Sequence, residues 1–282
     1  MKVLISGSTG LVGKNLTAAL IGKGIEVVSA GRADFAKGVD ELAVKVSQVA
    51  VVVNLAGAPI VARWSASYKR EILDSRIKTT GMLAEAIAAA TTKPRLFIST
   101  SAVGIYPDGE MFTEANARYG HDFLAKVCSD WEAEAMKAAP YTKVAIFRLG
   151  VVLDAQGGAL HKMLFPFRMG LGGPVAGGKQ GFSWIHIDDL MNAYLFLIEK
   201  TLSGVFNLTA PGVTDNAGFT KALGKAVKRP AILPVPAFAL RLVYGEGASA
   251  LTSGQKVLPA RLLKEGFIYK FPDLSGALED LV

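Results

Sequence analysis

The 282-residue chain is about two domains long at ~150 residues each, and its 51 % hydrophobic and 20 % charged residues exclude wholesale disorder. Thirty-one Lys and Arg against 24 Asp and Glu leave a formal charge of +7, too modest and dispersed for a nucleic-acid surface but suited to an anionic small molecule. A single cysteine, Cys128, excludes a disulfide framework and a multi-cysteine zinc site.

The start, MKVLISGSTG, reaches glycines before any long apolar stretch, so no signal peptide is expected. No run approaches the ~18 apolar residues of a membrane span. A cytoplasmic protein with no membrane or nucleic-acid partner is the expectation. Residues 3–5 read as a buried strand and 15–21 as a helix, with Leu16 and Leu20 four apart. Strands follow over 25–30 and 49–55, then a long helix over 68–90 and a strand over 95–100. A helix over 121–139 and one strand over 144–153 complete the run. Nearly all-apolar strands alternating with helices predict an α/β fold built on a doubly wound parallel sheet. After Asp154 the texture changes: 157–181 is glycine-rich with Lys162, Arg168 and Lys179, and 230–236 and 259–272 are punctuated by proline. Residues 1–154 are therefore expected to form a nucleotide-binding domain, with 184–209 returning to it, and 155–282 a smaller substrate-covering lobe.

The first strand runs into Gly7-Ser8-Thr9-Gly10-Leu11-Val12-Gly13, and a helix follows. Gly7 permits the turn, Gly10 admits a pyrophosphate close to the backbone, and Gly13 lets helix and strand pack closely. The helix start then offers free N–H groups and a positive dipole end to an anion. A plain glycine-rich connection is the weaker reading, because the strand–turn–helix context is the one that confirms such a motif. The second strand ends at Arg32, where an acidic residue would hold a ribose 2′-hydroxyl; an arginine attracts a 2′-phosphate instead. Small residues at Leu55-Ala56-Gly57 leave room for a ribose or nicotinamide, although an ordinary turn reads equally well.

These motifs, with Ser99-Thr100-Ser101-Ala102, the segment from Trp184 to Leu190, and Gly266-Phe267 followed by Pro272-Asp273-Leu274, resemble the extended, epimerase-like branch of the short-chain dehydrogenase/reductase superfamily. Arg63-Trp64, Asp74-Ser75-Arg76-Ile77 and FSWIHIDDL are similar to an atypical group of NAD-dependent epimerase/dehydratase-like proteins. The resemblance implies a Rossmann-like fold, NADP(H) preferred over NAD(H), and a small-molecule substrate, anionic or carbonyl-bearing, in a monomer or homodimer. It adds Ser99, Leu149 and Val151 to the cofactor-binding set of Gly7 to Gly13, Arg32 and 55–57. The superfamily's Tyr-x-x-x-Lys pair is missing: Leu124 and Cys128 stand in its places, and Arg76 stands where relatives carry asparagine. Ser101 keeps the serine position. Tyr106 and His186 are the other candidate proton donors, and Arg148, Phe165, Arg168 and Trp184 the candidate substrate contacts, although packing for Tyr106, a hydrogen bond within the fold for His186 and an ion pair for Arg148 are the stronger readings. His121, His161 and His186 lack metal-ligand spacing, so no metal is expected. An NADP(H)-dependent oxidoreductase or epimerase-like enzyme with a non-standard proton donor is the expected function. A non-catalytic NADP(H)-binding regulatory or redox-sensing protein is the alternative.

Overall fold

The five apolar runs, joined by a sixth at 204–208, form six parallel strands in the computed structural model, which describes residues 1–282. They are β1 (Lys2–Ser6), β2 (Glu26–Ala30), β3 (Val51–Asn54), β4 (Leu96–Ala102), β5 (Lys143–Leu149) and β6 (Gly204–Leu208). Their order is β6-β5-β4-β3-β1-β2, and every neighbouring pair is parallel. The chain leaves β1 to one side for β2 and returns to the other side for β3. The carboxyl ends of β1 and β3 therefore flank the switch point where such sheets bind ligands.

Strand alternation divides the core in two. Val3, Ile5, Val53, Ile98 and Phe147 point to the face covered by α1 (Leu11–Gly22) and α5 (Ile187–Lys200). Leu4, Val52, Phe97 and Ile146 point to the face covered by α2 (Val39–Val46), α3 (Ala66–Ala89) and α4 (Phe123–Met136). Each such fully buried side chain contributes about 1.5–3 kcal/mol, so both layers are needed to hold the sheet. The last third of the chain serves both bodies. α5 and β6 complete the sheet, and Leu262 and Phe267 join its first core. The helices Gly158–Arg168, Asn216–Ala226 and Leu274–Leu281 enclose a separate core around Leu160, Phe167, Trp184 and Phe219.

The strand expected over 144–153 is two. β5 ends at Leu149, and Val151–Asp154 leaves the sheet to pair in parallel with Trp184–His186. Gly150 makes the break: a Cβ there would lie 2.7 Å from the Ser183 carbonyl oxygen. The backbone bonds change partner at the same point: the Gly150 N–H donates to the Leu208 carbonyl of β6, and the Val151 N–H to the Ser183 carbonyl. No helix is long and apolar enough to cross a membrane.

Candidate active site at the carboxyl edge of the sheet

The glycine turn has the backbone its spacing demands. Gly7 lies at φ +73°, and a Cβ there would sit 2.8 Å from the Leu55 carbonyl carbon. A Cβ on Gly13 would overlap the Gly7 carbonyl oxygen. Gly10 is different: its Cβ would meet nothing nearer than that oxygen, at 3.4 Å, and the residue is exposed. Gly10 caps α1 without a side chain, and the first helical bond runs from the Lys14 N–H to the Gly10 carbonyl. The N–H groups of Leu11, Val12 and Gly13 consequently have no acceptor in the protein. Ser8 and Thr9 flank this row, and the Leu11 side chain packs against Gly157 and Gly158 of the smaller lobe. Three aligned donors at a helix start, under an open glycine, fit a phosphate group.

Beside the turn, Arg32 begins the short helix Arg32–Ala36 at the end of β2, exposed and without a hydrogen-bond or ion-pair partner. The nearby acid is already engaged. Asp34 accepts hydrogen bonds from Lys45 Nζ at 2.6 Å and from the Gly31 N–H at 2.8 Å. Lys45 and that N–H hold its carboxyl below the ordinary aspartate range. The one free charge at this position is therefore positive.

Behind the turn, a buried polar chain fixes the strand ends. Ser6 Oγ donates to Asn54 Oδ1 at 2.5 Å, Asn54 Nδ2 donates to Thr80 Oγ1 at 2.7 Å, and Trp131 Nε1 donates to the same hydroxyl at 2.8 Å. Leu55, Ala56 and Gly57 leave β3 from this anchor. Ser99, Asn54's neighbour on β4, is buried with its hydroxyl unpartnered. Leu149 and Val151 flank the Gly150 break, half-buried.

Further along the edge, Ser101 on β4, Arg148 on β5 and Asn207 on β6 stand in lateral register. Glu132 of α4 joins two of them. It accepts from Ser101 Oγ at 2.7 Å, Arg148 Nε at 2.8 Å and Arg148 Nη2 at 2.7 Å. Arg148 also donates to the hydroxyls of Tyr106 and Tyr119, and Tyr106 donates to Asn207 Oδ1 at 2.8 Å. Burial alone would lower the Arg148 pKa, but Glu132 and Tyr106 outweigh it and raise the guanidinium above its ordinary value. Burial raises the Tyr106 phenol despite Arg148. Sequence reasoning did not single out Glu132 or Asn207. The signal was present: an arginine within the apolar run FRLGVVL requires a buried partner from another element.

Several expected ligand contacts prove to be interior groups. Arg148 is 1 % exposed with each guanidinium nitrogen bonded, and Tyr106 is fully buried with its proton committed to Asn207. Trp184 lies in the smaller lobe's core, its indole N–H given to the Gly212 carbonyl. His186 caps α5 by accepting the Asp188 N–H and lies against Phe271, sharing no partner with Ser101. Phe165 and Arg168 are exposed on the helix Gly158–Arg168. Ser101 lies at the end of β4 and is buried as well, 2 % exposed, with its hydroxyl given to Glu132.

The family's tyrosine and lysine places are apolar. Leu124 packs with Trp64, Ile72 and Val127, and Cys128 with Val103, Ile105 and Tyr106. Burial, then the Glu132 carboxylate, push the Cys128 thiol up to about 11. An open cleft of about 530 Å3 lies between Trp64, Phe123, Arg241, Glu246, Ser249 and Thr252. Its walls are tied together by the Trp64 N–H to the Tyr244 carbonyl and by Arg63 to the Leu242 carbonyl.

A doubly wound parallel sheet with an anion-fitting glycine turn at its switch point defines a nucleotide-binding α/β protein of the dehydrogenase type. The chain belongs to the NAD dependent epimerase/dehydratase family, whose model matches residues 3–209; a domain of unknown function, DUF1731, matches residues 235–281. It is similar to the mouse epimerase family protein SDR39U1, 39 % identical over 100 % of both chains. Among solved structures it resembles the human SDR39U1 protein with NADPH at 36 % identity and TM-score 0.92, over 100 % of this chain and 99 % of that one. It also resembles the nucleoside-diphosphate sugar epimerase from Corynebacterium glutamicum at 32 % identity and TM-score 0.76, over 100 % of this chain and 58 % of that one.

Proposed function

We propose that this chain is an NADP(H)-binding oxidoreductase acting on a small anionic or carbonyl-bearing molecule, without a Tyr-Lys pair in its proton supply. The observation that carries this reading is the turn: three amides without acceptors under an open Gly10, beside the unpaired Arg32. The NADPH in the human relative supports it. Residues 7–13 would hold the pyrophosphate, Arg32 the 2′-phosphate, and Leu55 to Gly57, Ser99, Leu149 and Val151 the ribose and nicotinamide. A dinucleotide of this type supplies or accepts a hydride when bound.

The protein's own groups limit the rest. Ser101 gives its proton to Glu132, so it offers lone pairs to a substrate hydroxyl rather than a proton to a carbonyl. Tyr106 and His186 are interior, which leaves a bound water as the proton carrier. A second reading, cofactor binding without turnover, is favoured by the apolar packing of Leu124 and Cys128 at the places where acid–base groups would stand.

Titration of the wild type and Arg32→Ala with NADPH and NADH tests the cofactor assignment. A charge-assisted hydrogen bond contributes about 1.5–3 kcal/mol, so NADPH affinity should fall roughly tenfold to a hundredfold while NADH affinity holds. Equal effects on both would sink it. NADPH absorbance with a panel of carbonyl compounds then separates turnover from binding alone: no consumption with any of them favours the second reading.

A further inference from the structure

Arg76 is an arginine that the protein buries without an anion. It is 8 % exposed, in the middle of α3. Its guanidinium donates only to backbone: Nη1 to the Ile72 carbonyl at 3.1 Å and Nη2 to the Ala58 carbonyl at 2.9 Å. No carboxylate lies within ion-pair distance. One side of the group is closed by the Trp131 ring, 5.2 Å from Cζ to the ring centroid. Burial lowers its pKa. Arginines this buried are normally paired, because removing the charge from water is costly.

The guanidinium also lies directly against Gly57. That glycine is exposed, and a Cβ on it would come within 2.9 Å of Arg76 Cζ and 3.0 Å of Nη2. Any other residue at 57 would press a side chain onto the guanidinium. Its φ is not in the left-handed region, so the backbone does not require glycine there. Gly57 thus works as a window. It opens at the carboxyl end of β3, beside the switch point and on the edge that carries the glycine turn.

We propose that Arg76, seen through Gly57, is an anion-recognition point that binds the oxygens of a carboxylate or phosphate belonging to the ligand of this edge. The planar fork suits a two-oxygen anion. The inference rests on the ligand-binding edge assigned above and gives it a charge requirement: the ligand brings a negative group to the end of β3. The anion comes either from the cofactor's phosphates or from a substrate carboxylate.

Calorimetric titration of wild type, Arg76→Met, Arg76→Lys and Gly57→Ala tests this. The probes are NADPH on the free protein, and pyruvate and inorganic phosphate on both the free and the NADPH-saturated protein. A tenfold or greater loss of NADPH affinity in Arg76→Met and Gly57→Ala assigns the anion to the cofactor. Unchanged NADPH affinity with a tenfold or greater loss of pyruvate binding assigns it to the substrate. Arg76→Lys should retain part of either affinity, because it keeps the charge and loses the fork. Arg76→Met should also raise the melting temperature, since it removes a buried, unpaired charge; a structural role would lower it. Unchanged affinities for all three probes in Arg76→Met and Gly57→Ala overturn the proposal, as does wild-type protein that binds none of them. If the wild type binds pyruvate or phosphate through Arg76 but no NADPH, the anion point stands and the oxidoreductase reading falls.

Discussion

Gly10 and Gly13 are three residues apart in one turn, yet alanine should have opposite consequences at the two. At Gly13 the methyl group would overlap the Gly7 carbonyl oxygen and approach Ser8 Cα to 2.7 Å, and both are backbone that cannot rotate away. The start of α1 must then lift from β1, a loss of about 1–3 kcal/mol by analogy with overpacked cores. At Gly10 the methyl group meets only that oxygen, at 3.4 Å, so the fold should survive. It would narrow the open turn that carries the three free amides. Gly10→Ala should therefore keep the wild-type denaturation midpoint and lose NADPH binding, whereas Gly13→Ala should lose stability first. Equal midpoints for the two variants would refute the packing role of Gly13. These backbone demands are legible in the sequence because they arise within seven residues. That Tyr106 packs and Arg148 forms an ion pair was legible too, but their partners were not, because they come from distant segments: Asn207 is 101 positions from Tyr106, and Glu132 is 16 from Arg148.

Among the elements, α4 closes the carboxyl edge. One face lays Cys128 against Val103, Ile105 and Tyr106 and Trp131 against Arg76 and Thr80 of α3, and Glu132 ties Ser101 of β4 to Arg148 of β5. Breaking such a buried pair strands a charge, so Glu132→Ala should cost about 3–5 kcal/mol in chemical denaturation. Glu132→Leu combined with Arg148→Leu should cost clearly less than the sum of the single changes, since neither charge is then orphaned. Additive losses would show that the two side chains are not coupled. The element types were legible from apolar runs and helical spacing, and α1 begins four residues earlier than its periodicity suggested because Gly10 can cap it. The division at Gly150 was not legible. VVLD is as apolar as the strand before it, and only the carbonyl of Ser183, 33 residues on, reveals why the chain changes sheets.

At the scale of the whole molecule, the carboxyl-terminal segment is fastened to the sheet-covering α5 by a charged cluster around a buried histidine. His186 is 1 % exposed and accepts the Asp188 N–H through Nδ1 at 3.1 Å. Its Nε2 lies 3.3 Å from Asp280 on the helix Leu274–Leu281, and its ring is 3.9 Å from that of Phe271. Asp189 accepts the N–H groups of Lys270 and Phe271, and Lys270 Nζ pairs with Asp188 at 2.8 Å. Burial lowers the His186 pKa below its ordinary 6.5; Asp188, Asp280 and Asp189 oppose the shift, and Lys270 adds to it. The cap works in the same direction, since a proton on Nδ1 would face the Asp188 N–H. The unfolded chain therefore takes up a proton near pH 6.5 while the native protein resists it. In that window the unfolded state binds more protons, so stability rises with pH. The contribution is complete above pH 6.5 and is lost as pH falls from there toward the lowered native value, with a slope of at most about 1.4 kcal/mol per pH unit. His186→Asn can keep the cap through its side-chain oxygen while removing the titration. Denaturation curves between pH 7.5 and about 5 should then show a wild-type stability that falls below pH 6.5 and a variant that falls less, the difference in slope disappearing once the native histidine is protonated. An identical slope in the two proteins would place the pH sensitivity elsewhere. An intact slope with a detached C-terminal helix, seen as faster amide exchange over 274–281, would show that His186 holds the helix by packing on Phe271 rather than by its charge state.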